Sequence, residues 1–327
     1  MRFATFAVRF VAALIAASAA ASATEAPARW TSEWPNTDFS KSSVDFAQIF
    51  SGGPPKDGIP ALDDPEMKPV RDATELDPRE GVVVLELEGA APRAYPLRYL
   101  TWHEIVNDEV AGAPVAVTFC PLCNSAVTFD RRLGGRVLDF GVSGKLRFSD
   151  MVMFDRQTES WWQQFVGEAI VGELTGETLA TVPSWLENWG AFRERNPDGL
   201  VMAEPANHRR DYGRNPYAGY DRADWPFLYR GDAPPHGVPP LARVVAVGDR
   251  AWTLNRIAKA GIVEEAGLRI TWRAGQASAL DAGGVAEGRD VGTIRVFDAA
   301  TGAPVAHDVA FAFAFHAFHP DGVWMLE

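Results

Sequence analysis

Four short stretches of this sequence recur in the same order, and this internal repeat limits the available folds more than any other feature. The pairs are RAYPL at 93–97 with RAWTL at 250–254, VTF at 117–119 with ITW at 270–272, MFDRQT at 153–158 with VFDAAT at 296–301, and AFRERNPDGLVM at 191–202 with AFHPDGVWM at 317–325. Ordered repeats are typical of units that bury equivalent faces. The pattern predicts two copies of one structural unit, the second with shorter loops.

Within the first copy, strand-like patterns alternate with turn signals. The predicted elements are a hairpin over residues 82–97, a short helix over 97–108, a strand over 113–119, a hairpin turning at Gly134 and Gly135, and a hairpin turning at 156–158. Alternating polarity favours antiparallel hairpins over parallel βαβ units. We therefore predict a β-rich α+β fold with antiparallel hairpins and short helices, internally duplicated with pseudo-two-fold symmetry.

The same patterns divide the chain into five segments. They are a signal peptide at 1–23, an irregular arm rich in Pro, Gly and Asp at 24–80, the first copy at 81–205, a connector at 206–240, and a degenerate second copy at 241–327. The two copies are expected to pack as one body.

The first segment predicts the compartment. Arg2 and Arg9 make the start of the chain basic, and an apolar run follows over residues 10–21. Ala21 to Ala23 then fits a small-residue cleavage site. No later apolar run is long enough to span a bilayer. We expect a periplasmic or secreted protein without a transmembrane segment after cleavage. The net charge of −12 argues against a nucleic-acid partner.

Comparing the two copies separates scaffold from candidate site. Features kept in both copies are expected to be scaffold, and features unique to the first copy are candidates for function. The unique features are His103 and Glu104, the CPLC turn from Cys120 to Cys123, SGKLRFSD at 143–150 and TESWWQQ at 158–164. The predicted site therefore lies in the first copy.

The CPLC turn predicts soft-metal binding or thiol redox chemistry. Asn124 suits a left-handed backbone, which would let the following N–H groups point at the sulfurs of Cys120 and Cys123. Copper as Cu(I) could be held by both thiolates, whereas zinc needs more ligands. His103 is the first candidate for a further ligand, and His316 and His319 are the next.

Three other interpretations of the turn remain open. A thioredoxin-type dithiol needs a helix N-terminus beside the first cysteine, but strand-like residues follow Cys123. An inert Cys120–Cys123 disulfide would suit an oxidising compartment and a ligand-binding or structural module. A cysteine-dependent enzyme acting on a small ligand would use His103 to activate the nucleophile, with Glu104 or Asp108 orienting the reacting groups.

Polar contacts to a small ligand are expected from residues outside the turn. Ser143 and Lys145 could form an anion-binding corner, and Ser149 and Asp150 follow in the same stretch. Trp161 and Trp162 should point to opposite faces of a strand, so that Trp161 could line a pocket. No motif names the ligand or the reaction class.

Several long motifs resemble a family of secreted bacterial proteins catalogued as domain of unknown function 3179. They are SGGPPKDGIPALDDP at 51–65, HEIVND at 103–108, TFCPLCNS at 118–125 and SGKLRFSDMVMFDRQTESWWQ at 143–163. The likeness extends from about Ser51 to the C-terminus. It implies the boundaries of the folded region and assigns no chemistry.

Overall fold

The computed structural model describes residues 25–326, so the predicted signal peptide at 1–23 lies outside the described residues. The arm that follows is mostly irregular but contains four regular elements besides short 3₁₀ turns. They are helix α1 (Ala28–Glu33) and strands β1 (Ile49–Ser51), β2 (Leu62–Asp63) and β3 (Met67–Pro69). Each of these strands pairs with the edge of a different sheet, so the arm is built into the body.

The first half of the body contains fourteen of the strands and two of the helices. In chain order they are β4 (Gly81–Leu85), β5 (Arg93–Pro96), α2 (Leu97–His103), β6 (Ile105–Val110), β7 (Ala113–Cys120), β8 (Ser125–Asp130), β9 (Arg132–Leu133), β10 (Arg136–Val137), β11 (Phe140–Arg147), β12 (Asp150–Asp155), β13 (Trp161–Gln163), β14 (Glu168–Val171), β15 (Thr181–Val182), β16 (Ser184–Asn188), α3 (Trp189–Arg195) and β17 (Leu200–Met202).

The second half is shorter and follows an irregular connector. Its elements are β18 (Arg243–Val247), β19 (Arg250–Thr253), α4 (Leu254–Ala260), β20 (Ile262–Glu265), β21 (Leu268–Arg273), β22 (Thr293–Asp298), β23 (Asp308–Phe311), α5 (Ala312–Phe318) and β24 (Val323–Met325).

Five small sheets build the body in a five-bladed, propeller-like arrangement that the sequence did not predict. Their strand orders are β16-β4-β5-β17-β3 in sheet I, β15-β8-β7-β6-β2 in sheet II, β1-β11-β12-β13-β14 in sheet III, β23-β18-β19-β24 in sheet IV and β20-β21-β22 in sheet V, and β9 with β10 forms a separate hairpin. Most neighbouring strands are antiparallel, which confirms the prediction of a β-rich fold with short helices.

Sheets I and IV have equivalent connections. In each, an antiparallel hairpin leads into a helix, β4 and β5 into α2 and β18 and β19 into α4. The second hairpin strand also has a parallel partner that follows another short helix, β17 beside β5 and β24 beside β19. Sheet V repeats the β6-β7-β8 part of sheet II. Sheet III has no counterpart among the described residues of the second half.

One of the four sequence matches joins strands that are not equivalent. VFDAAT begins in β22, which pairs with β21 as β8 pairs with β7, whereas MFDRQT begins in β12 of sheet III. Both stretches cap the same local turn. The Thr158 N–H donates to Asp155 and the Thr301 N–H donates to Asp298, each at 2.7 Å. Shared turn chemistry accounts for this likeness.

The helix predicted over residues 97–108 is shorter than expected. Helix α2 ends at His103 because Glu104 adopts a positive φ of 60°. Ile105 to Val110 instead form β6, whose backbone pairs along its full length with β7. The β-branched Ile105 and Val106 suit this strand, and the tertiary pairing outweighs the local helical pattern.

Candidate metal site

The CPLC turn closes the hairpin between β7 and β8. Cys120 pairs with Ser125 across the turn, and the Cys123 N–H donates to the Cys120 carbonyl at 3.2 Å. Asn124 has a φ of 50°, which confirms the predicted left-handed backbone. Both cysteines are buried. A β-strand follows, so the helix N-terminus that a thioredoxin-type thiol needs is missing here.

Asp150 lies beside the two cysteines. One carboxylate oxygen of Asp150 and the Sγ atoms of Cys120 and Cys123 all lie within 4.8 Å of one another, and all three residues are buried. Gln163 Nε2 and the Phe165 N–H donate to Asp150 Oδ2 at 2.6 and 3.0 Å. Asp150 Oδ1 has no hydrogen-bond partner in the described residues. Apart from the thiols of Cys120 and Cys123, which lie beside the carboxylate, Oδ1 is therefore open to a ligand.

The turn that delivers Asp150 has an unusual backbone. Arg147 pairs with Asp150, and the two residues between them, Phe148 and Ser149, both have positive φ angles of 50° and 65°. A bulky side chain such as phenylalanine rarely adopts this conformation, and such strain is concentrated at functional sites. The Ser149 hydroxyl donates to the Phe227 carbonyl of the connector, which helps hold the turn.

Burial acts on every ionisable group of the cluster. It raises the pKa of the Cys120 thiol, raises that of Cys123 well above its usual range, and raises that of Asp150 to about 6. The neighbouring Glu104 has a pKa raised to about 7 by burial. Within residues 25–326, neither carboxylate forms an ion pair with a lysine or an arginine. Four acidic groups therefore share a buried space in which Arg147 attracts Asp150 without an ion pair, since both residues contact Gln163.

The structure does not contain the Cys120–Cys123 disulfide that one interpretation of the turn requires. Cys120 and Cys123 are free thiols. With their raised pKa values, both thiols are protonated at neutral pH unless a cation binds.

His103 lies in a different environment from the one expected of a third ligand. Its Nδ1 lies 2.7 Å from the Pro60 carbonyl and its Nε2 lies 2.6 Å from the Tyr212 hydroxyl, so Nδ1 donates and Nε2 accepts. Burial lowers its pKa to about 4. Both ring nitrogens are occupied, and His103 is not in the group formed by the cysteines and Asp150. The geometry therefore supports neither metal ligation nor thiol activation by His103.

The two histidines near the C-terminus are also separate from the cysteines. His316 packs at 6.4 Å, ring to ring, from Trp324, and His319 packs at 5.1 Å from Phe315. Neither joins the ligand group.

The expected anion-binding corner at Ser143 and Lys145 is a bulge within β11. The pairing register of β11 with β12 shifts between Val142 and Lys145, and the Ser143 hydroxyl donates to the Val152 carbonyl. The Lys145 ammonium pairs with Glu33 of the arm at 3.0 Å. The ammonium is therefore occupied, and the hydroxyl is a strand contact.

Trp161 is part of a core and does not line the cavity near the cysteines. It is fully buried against Trp30 and Trp34, with ring centroids 5.1 and 5.3 Å away. Trp162 packs into a different core with Phe140. The two tryptophans point to opposite faces of β13, as predicted.

A cavity of about 500 Å³ lies next to the cluster. Leu122 of the CPLC turn, Met151 and Glu104 line one side, while the arm and the connector supply the other walls, including Ile59 and Tyr217. The Tyr217 hydroxyl donates to Glu104 Oε1 at 3.3 Å. The cysteine cluster is thus adjacent to a space large enough for a small molecule.

Comparison with known proteins gives one match. Residues 56–322 match the model of a family described as "Protein of unknown function (DUF3179)". The chain belongs to this family. No curated protein and no solved structure matches it. The family description assigns no activity. Among the described residues of this family member, no helix is long and apolar enough to cross a membrane.

The sequence predicted that Asp150 contacts a small ligand, but it did not predict that Asp150 forms one group with Cys120 and Cys123. Gln163, which orients the Asp150 carboxylate, was also missed. Both lie in motifs unique to the first half of this family member, so the comparison of the two halves had already marked the correct segments. Their mutual contact depends on how β12 and β13 pack against the CPLC hairpin.

Proposed function

We propose that this protein binds zinc through Cys120, Cys123 and Asp150. The observation that carries the proposal is that two thiols and one carboxylate lie within 4.8 Å of one another in a buried space. Tetrahedral zinc has bonds of about 2.3 Å to sulfur and about 2.0–2.2 Å to a carboxylate oxygen, which separates neighbouring ligand atoms by less than 4 Å. Small side-chain rotations would bring the three groups into that geometry.

Charge supports a cation at this position. Burying several acidic groups without a partner is costly, and a divalent ion would stabilise the thiolates and the carboxylate together. A carboxylate oxygen is a harder ligand than sulfur, so the donor set favours zinc over Cu(I). Three protein ligands leave one zinc position for water or a small molecule, as in catalytic zinc sites.

Thiol redox chemistry and nucleophilic catalysis have less support. Both need a thiolate at neutral pH, whereas burial raises the pKa of Cys120 and of Cys123. His103, the histidine proposed as an activating base, has its Nε2 engaged by Tyr212.

Metal content of the purified full chain is the direct test. We expect close to one zinc per protein in the wild type and loss of zinc in the double variant Cys120→Ser with Cys123→Ser. Cobalt substitution should add a sulfur-to-metal charge-transfer band in the near ultraviolet. Asp150→Asn should weaken zinc binding in competition with a chelating dye.

Asp155→Asn is the matched control for Asp150→Asn, because Asp155 is an equally buried aspartate at the other end of β12. Its carboxylate accepts from Thr158 and Trp162 and is not in the ligand group. We expect unchanged zinc affinity in this variant. A wild-type protein that binds no zinc, or one that prefers copper under competition, would contradict the proposal.

Two further proposals concern the whole chain. We infer that the protein is exported and then periplasmic or secreted, on the basis of the signal-like residues 1–23. The intact mass of the protein from the periplasmic fraction tests this, and we expect the mass of a chain that begins after Ala23.

We also infer that the two halves are copies of one pseudo-two-fold unit, supported by the equivalent connections of sheets I and IV.

A further inference from the structure

The cavity beside the proposed zinc site has mainly apolar walls. Ile59 of the arm, Leu122, Val142 and Met151 contribute aliphatic surface, and Phe227 of the connector adds an aromatic ring. Its volume of about 500 Å³ is in the usual range for small-molecule sites. The body of a ligand here would be apolar.

The cavity offers no free side-chain cation. Among its lining residues within 25–326, Lys145 is the one lysine or arginine, and its ammonium is paired with Glu33 at 3.0 Å. That ion pair lies between the bulge of β11 and the arm. An anionic ligand would therefore enter without a charged partner from the walls.

The hydroxyl groups that line the cavity are already used as donors. The Tyr217 hydroxyl donates to Glu104 Oε1 at 3.3 Å, and the Tyr220 hydroxyl donates to the Leu122 carbonyl at 2.9 Å. Among the described residues, the hydrogen bond from Tyr217 is the one side-chain hydrogen bond to the Glu104 carboxylate, and it is made to Oε1. When Glu104 is ionised, the side chains therefore offer the ligand an acceptor and no free donor.

We propose that the cavity binds a small molecule with an apolar body and a hydrogen-bond donor, an amine or an alcohol, that contacts Glu104. The inference deepens the proposed function and rests on it for the zinc beside the cavity. Two thiolates and a carboxylate more than neutralise a divalent zinc ion, so we expect its open position to hold water rather than an anionic ligand. Carboxylates and phosphates of the same shape are excluded, since they would bring an unpaired charge to an acidic space.

Three naphthalene probes of one shape test the donor requirement. They are 1-naphthylmethylamine, 1-naphthalenemethanol and 1-naphthoate, which differ mainly in the charge and donor capacity of one substituent. Binding to the zinc-loaded full chain is followed by ligand-detected NMR and by probe fluorescence. We expect the amine and the alcohol to bind at least about tenfold more tightly than the carboxylate, a ratio that corresponds to about 1.4 kcal/mol.

Two isoleucine variants locate the binding. Ile59→Trp fills the cavity from the arm and should weaken binding of the amine at least tenfold. Ile262→Trp is its matched control, because Ile262 is 50% exposed in sheet V and does not line the cavity.

Glu104→Gln keeps the shape of the side chain and should reduce the preference for the amine over the carboxylate. Circular dichroism and thermal melting establish that each variant folds.

The outcomes separate this inference from the zinc proposal. Tight naphthoate binding would overturn the donor requirement, and unchanged binding in a folded Ile59→Trp protein would overturn the location. A zinc-loaded protein that binds none of the probes contradicts the ligand inference alone. A wild-type protein that takes up no zinc but binds the amine with the same preference contradicts the zinc proposal alone.

Discussion

The backbone N–H of Phe311 donates to the carbonyl oxygen of Cys123 at 2.8 Å. This bond joins β23 of the second half to the CPLC turn of the first half. Asn124 Nδ2 also donates to the Val309 carbonyl, and the Ala126 N–H donates to Asp308 at 2.9 Å. The turn that carries both thiols is therefore held by a strand far away in sequence.

Asn124 should be sensitive to replacement for two separable reasons. Its φ of 50° is strained for most residues, and its amide contacts Val309 and Arg243. Asn124→Gly loses only the amide contacts, whereas Asn124→Ala loses the contacts and adds backbone strain. We expect the free energy of unfolding to be about 1–2 kcal/mol lower for the alanine variant than for the glycine variant. Urea denaturation of both proteins measures this difference, and equal stability would contradict the assignment.

Gln163 should position the proposed metal ligand without touching the metal. Its Nε2 donates to Asp150 Oδ2 at 2.6 Å. Gln163→Met should weaken zinc affinity by about 10- to 100-fold, the range found when a residue that orients a ligand is removed. The matched control is Gln157→Met, because Gln157 is exposed and contacts Asp139. Competition with a chelating dye gives both affinities, and equal values would show that Gln163 has only a structural role.

Gly144 should control how the arm lies over the cavity. A Cβ atom there would be 2.0 Å from the Pro54 carbonyl oxygen, whereas a Cβ at Gly89 would meet nothing within 4 Å. Both glycines have positive φ, so each change to alanine adds backbone strain of roughly 1 kcal/mol. Only Gly144→Ala should also displace the arm.

Limited proteolysis distinguishes these two glycine variants. Faster cleavage within residues 51–60 is expected for Gly144→Ala and not for Gly89→Ala. Similar cleavage of both variants would indicate that the close contact with Pro54 does not hold the arm.

His103 should make the fold sensitive to mild acid. Burial, together with nearby His208 and Arg210, lowers its pKa from 6.5 to about 4 against the opposing effect of the Pro60 carbonyl. Between about pH 6.5 and pH 4 the unfolded chain binds a proton that the folded chain does not. The stabilisation by the neutral imidazole is therefore complete above pH 6.5 and falls as the pH drops towards 4.

The variant His103→Gln isolates this effect. Asp150 and Glu104 have raised pKa values and change stability in the opposite direction with pH, but they are present in both proteins. The difference in urea midpoint between wild type and His103→Gln should shrink as the pH falls from 6.5 to 4. A constant difference across that range would contradict the assignment.

Several local features could be predicted because they depend on a few neighbouring residues. The left-handed Asn124, the hairpin turn at Gly134 and Gly135, and the turn at 156–158 all follow from short-range sterics and hydrogen bonds. The likeness of MFDRQT to VFDAAT misled the comparison of the two halves for the same reason. Identical turn chemistry occurs in strands that are not equivalent.

The sequence by itself determined the paired thiols, the left-handed residue after them and the segments unique to the first half. Only the tertiary structure decided that Asp150, rather than His103, lies beside Cys120 and Cys123. The pairing of β6 with β7 ended helix α2 at His103, and Pro60 and Tyr212 occupied its ring nitrogens. Contacts between residues tens of positions apart depend on how sheets pack, and no short-range pattern in the chain encodes that packing.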